Sequence, residues 1–118
     1  MDAPVITEVY VRERLARAVD ALATGTGPLH QRLFLAALAT STLQPRDFVD
    51  DESRAGFGAI REMLTRHEAR ANEGRVGATL ARMSDDEARS VAKRILELDA
   101  HYRSLSFFAG KSIHNRWP

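Results

Sequence analysis

At 118 residues, 44% of them hydrophobic and 28% charged, the chain is long enough for one hydrophobic core and too short for two comfortable ones. A net charge of +1 gives no global attraction to DNA, RNA or an anionic membrane. The lack of cysteine excludes disulfides, thiol catalysis and cysteine-based zinc sites.

Met1-Asp2-Ala3-Pro4 carries no basic segment leading into an apolar run, so a signal peptide is not expected. The longest apolar run has seven residues, against the ~20 needed to cross a bilayer. A cytoplasmic protein without a membrane span is the expectation. Met1 to Ile6 reads as a lead-in, and Thr7 as the cap of a first helix over Glu8 to Ala23. Val11, Leu15, Ala18, Val19 and Leu22 recur at helical spacing and give that helix one apolar stripe. Glu8–Arg12 and Glu13–Arg17 support its outer side as i,i+4 pairs.

Thr24-Gly25-Thr26-Gly27-Pro28 ends it, with Gly25 suited to a left-handed cap and Pro28 to the first turn of a second helix. These glycines lack the Lys-Ser/Thr pair of a phosphate loop, so the segment reads as a helix–helix turn. The second helix is expected over Pro28 to Thr42. It contains Leu33-Phe34-Leu35-Ala36-Ala37-Leu38-Ala39, apolar on every side at roughly 100° per residue. Such a helix needs cover on more than one side, from its own chain or from a partner. His30 and Arg32 lie near its N-terminus, where the dipole disfavours cations, so an acidic partner elsewhere is expected for them.

Pro45 closes that segment, and Phe48 after it reads as an anchor into the core. Asp50, Asp51 and Glu52 open a third helix to about Arg66, with Phe57, Ile60, Met63 and Leu64 inward. Gly56 and Gly58 inside it predict a close backbone crossing or a bend. Arg66 to Arg75 reads as a loop or frayed extension, and Val76 to Met83 as a short helix. Ser84-Asp85-Asp86-Glu87 is a capping box that starts a last helix to about Leu105. Ala88, Val91, Ala92, Ile95, Leu98 and Tyr102 form its inner side. Asp99 falls on that side too and must pair, with Arg103 or His101. The tail from Ser106 to Pro118 scatters Phe107, Phe108, Ile113 and Trp117 among polar residues, to be packed back on the bundle, docked on a second copy or disordered.

Glu13-Arg14-Leu15-Ala16-Arg17-Ala18-Val19 leading to Gly25-Thr26-Gly27, together with Arg82-Met83-Ser84-Asp85-Asp86-Glu87-Ala88 leading to Ile95-Leu96-Glu97-Leu98, resembles a group of small helical bacterial proteins of no assigned activity. The resemblance spans about Val11 to Leu105 and leaves the tail outside. It implies no catalytic residue, cofactor or partner.

Motifs of chemistry are scarce. His30, His67, His101 and His114 are dispersed and make no His-Glu-x-x-His site. Glu97 and His101, one turn apart, would hold a metal only with ligands from other helices. No Gly-x-Ser-x-Gly elbow is present. Helix-turn-helix reading of DNA would need a polar, basic second helix, whereas here it is the apolar one. The reading is therefore an all-α domain over residues 1–105, a compact bundle of four to five helices around the apolar helix of residues 28–42. No catalytic, cofactor or metal residues are assigned. The expected role is non-enzymatic, of an interaction or regulatory kind, through another protein or a homodimer, with Phe34, Leu35, Leu38, Phe107, Phe108 and Trp117 as interaction residues. One alternative is a nucleic-acid accessory role for the six arginines between Ser53 and Arg82, where only three glutamates oppose them. The other is an enzyme or metal-binding bundle.

Overall fold

The computed structural model describes residues 8–69 and 74–105. Five α-helices follow one another: α1 (Glu8–Thr24), α2 (Leu29–Ala39), α3 (Asp51–Leu64), α4 (Gly74–Ala81) and α5 (Asp85–Arg103). A single 3₁₀ turn, Pro45–Asp47, lies between α2 and α3. The fold is all-α and compact. The expected interaction residues Phe107, Phe108 and Trp117 lie outside the described residues.

The helix starts are chemical. Asp50 accepts the Ser53 amide (3.1 Å) at the head of α3. At α5, Ser84 Oγ accepts the Glu87 amide, and Glu87 Oε1 accepts the Ser84 amide, the reciprocal pair written in the sequence. The turn before α2 works differently from expectation. Gly27, not Gly25, takes the left-handed conformation, with φ of 91°. Gly25 is instead a close-approach residue, since a Cβ there would sit 2.5 Å from the Ala21 carbonyl oxygen. Pro28 caps α2 from just outside it, its carbonyl accepting the Gln31 and Arg32 amides.

Three helices each contribute one buried stripe. Val11, Leu15, Ala18 and Leu22 come from α1; Phe57, Ile60 and Leu64 from α3; Ala88, Val91, Ile95, Leu98 and Tyr102 from α5. Phe48 does anchor the connection. It is buried between Phe57 (ring centroids 4.9 Å) and Tyr102 (5.2 Å, edge to face), geometries that add about 0.5–1.5 kcal/mol per pair beyond area burial.

The packing puts α5 against α1, α2 and α3, and α2 against α1, α4 and α5. Within α2, only Leu33 and Ala36 are buried. Its cover comes from α1, α4 and α5, while the face that carries Phe34, Leu35 and Leu38 stays open.

Candidate interaction surface

The open face of α2 follows from helical geometry. Taking Leu33 as zero and stepping roughly 100° per residue, Ala36, Ala37 and Thr40 fall within about 60° of it. Phe34, Leu35 and Leu38 fall between about 100° and 200°, on the other side. The structure follows this division. Leu33 and Ala36 are buried, while Phe34 is 37% exposed, Leu35 44% and Leu38 52%. Gln31, also exposed, falls at about 160° and gives that face a polar neighbour. Beside Phe34 a shallow groove runs between α2 and α4, bordered by His30, Gln31, Gly77 and Met83.

Hydrogen bonds tie α2 and its flanking turns to the rest of the bundle. Tyr10 and Thr42 join their hydroxyls at 2.8 Å, and Arg14 Nε donates to the Ala39 carbonyl at the end of α2. Arg32 donates to the carbonyls of Leu22 (2.7 Å) and Gly27 (3.1 Å), and a His30 ring nitrogen lies 2.8 Å from the Met83 carbonyl oxygen. The acidic partners expected for His30 and Arg32 are thus replaced by main-chain carbonyls. That of Leu22 belongs to the last turn of α1, where the carbonyls of a helix are unpaired and carry partial negative charge.

The arginines between Ser53 and Arg82 are used in the same way. Arg54 donates to the Phe48 carbonyl and pairs with Asp51, and Arg61 donates to the Leu43 carbonyl. Arg75 donates to the Thr65 carbonyl at the end of α3, and Arg82 to that of Ala78. Arg66 is held by both carboxylate oxygens of Glu62, at 2.7 and 3.2 Å. Arg70 lies outside the described residues.

The two polar groups singled out on α5 separate. Asp99, 6% exposed, receives Arg103 Nε at 3.0 Å, one of its two expected partners. His101, the other, turns to α3 instead. Its Nε2 lies 2.9 Å from Asp50 Oδ2 and its Nδ1 3.6 Å from Glu52 Oε2. Burial would raise the Asp50 pKa, but hydrogen bonds from His101 and Ser53 prevail and hold it below the ordinary carboxylate value. With carboxylates facing both nitrogens, His101 acts as a clasp between the end of α5 and the start of α3. Among the described residues no three His, Asp or Glu side chains are grouped to hold a metal. No described helix is long and apolar enough to cross a membrane.

Sequence reasoning missed the His101–Asp50 clasp because the two residues are 51 positions apart. The signal at hand was only that Asp50 stands at a helix start. Comparison of the chain with protein families, with curated proteins and with solved structures finds no match in any of the three.

Proposed function

We propose that the protein works without catalysis, as a small interaction module that pairs with a second copy of itself through the open face of α2. The observation that supports this is the exposure of Phe34, Leu35 and Leu38, three large apolar side chains side by side on one helix. Leaving them in water forgoes a gain of up to about 1.5–3 kcal/mol for each side chain fully buried. A helix face can meet its own copy across a two-fold axis, the commonest symmetry of soluble oligomers. A net charge of +1 sets little long-range repulsion against such a pair. Gln31 fits the polar rim that surrounds an apolar interface centre. The nucleic-acid alternative has less support, since the described arginines of residues 53–82 other than Arg61 are held at short range by carbonyls or acids.

Sedimentation across about 1–100 μM, the range of modest dimers, tests the proposal. A concentration-dependent dimer is expected, and the double variant Leu35→Glu, Leu38→Glu should be monomeric with unchanged helical circular dichroism. A wild-type chain that stays monomeric throughout, or a double variant that still pairs, would overturn it.

A further inference from the structure

On the side of α2 opposite the open face, the ends of α2, α3 and α4 enclose a cleft of about 200 Å³. Its apolar walls are Ala37, Phe57, Ile60, Leu64 and Val76. Thr40, Phe57 and Ile60 also border a void of about 10 Å³ farther in, against Leu15 and Leu98. The inner wall of the cleft is therefore also a wall of the core.

Its polar lining is one-signed. Among the described residues no carboxylate borders the cleft, and Arg61 is its one cation. Arg61 has no acidic partner among the described residues. Its contacts are a long 3.4 Å bond to the Leu43 carbonyl and a position 6.0 Å from the centre of the Phe57 ring. This differs from Arg66, which Glu62 binds through both oxygens. The hydroxyl protons of Thr40 and Thr65 are committed to carbonyls of their own helices. Arg61 is thus the cationic donor left to a ligand, above an apolar floor.

We propose that this cleft binds a short aliphatic monocarboxylate, with its chain against Phe57, Ile60 and Leu64 and its carboxylate on Arg61. An apolar cavity of about 150 Å³ accepts benzene, so this volume suits a chain of roughly six carbons. A guanidinium offers a carboxylate two parallel donors, and the apolar walls keep water from competing. Ala37 and Thr40 lie on the opposite side of α2 from Leu35 and Leu38, so ligand binding and self-association are separately testable.

The experiment titrates hexanoate into the full chain, followed by amide NMR shifts, with 1-hexanol and acetate as comparisons. Hexanoate should shift amides around Ala37, Ile60 and Val76 and bind about tenfold more tightly than either comparison, the size of one charge-assisted contact. Arg61→Gln should remove that preference over 1-hexanol while leaving 1-hexanol binding unchanged. Ala37→Leu, which fills the cleft, should abolish both with helical content retained. Equal binding of hexanoate and 1-hexanol, an Arg61→Gln variant with full hexanoate affinity, or no response to millimolar hexanoate would each overturn the proposal.

Discussion

Asp50 carries two duties with one carboxylate oxygen: it caps α3 through Ser53 and receives His101 from α5. Asp50→Ala removes both and should cost about 2 kcal/mol in chemical denaturation at neutral pH. Asp50→Asn keeps a good cap and should cost less. The pH dependence follows from the lowered pKa. A carboxylate held below its ordinary value of 3.8 contributes fully above that value and loses its contribution as pH falls through the folded one. Stability of the wild type should therefore drop more steeply than that of Asp50→Asn below about pH 4, as read by thermal unfolding across an acid series. A parallel decline in both would show that Asp50 is not the group responsible. At this same scale, arginine's part was invisible in the sequence. The charge of Arg14, Arg32 or Arg75 is legible there, but a carbonyl acceptor is carried by every residue and has no signature.

At the scale of elements, the caps were the most legible features. Ser84 and Glu87 start α5, and Asp50 starts α3, through bonds spanning only three residues. Local chemistry suffices for such bonds. The end of α2 was less legible. Expectation carried it to Thr42, yet the helix stops at Ala39, and Thr40 Oγ1 turns back to the carbonyls of Ala36 and Ala37. Hydroxyl residues in a row compete with the backbone for its own partners and favour a turn. The glycines of α3 were read as marks of a close crossing or a bend, but α3 runs unbroken from Asp51 to Leu64. A Cβ on Gly58 would meet Pro45 Cγ at 3.8 Å, and one on Gly56 would meet Leu98 Cδ1 at 3.6 Å, both ordinary contacts. Neither glycine has positive φ. Gly58→Ala should accordingly stabilise the fold by about 0.5–1 kcal/mol in denaturant titration, from helix propensity alone. A destabilisation would show that the Pro45 side of α3 has no room for the added methyl group.

For the whole molecule, the core gathers on Phe48, Phe57 and Tyr102, which come from a turn and two helices. Phe57→Ala should cost about 3–5 kcal/mol, more than any surface change named above, and would leave a small domain of this size close to unfolded. If the open face of α2 does pair with a second copy, the melting temperature should also rise with protein concentration, because association stabilises only the folded chain. A melting temperature constant over a hundredfold dilution would speak against pairing.

The chain's own pattern of apolar residues and caps determined that this protein is helical, where most of its helices begin and which side chains they bury. Those properties depend on residues three or four positions apart, which remain neighbours whatever the rest of the chain does. Only the tertiary structure decided that α2 packs against α1, α4 and α5, that its Phe34, Leu35 and Leu38 face outward, that His101 reaches Asp50, and that three helix ends meet beside Arg61. An apolar residue is equally ready for a core or an interface, and a charge for any partner within reach. The choice is made by the angles at which helices cross, and no short stretch of sequence encodes those angles.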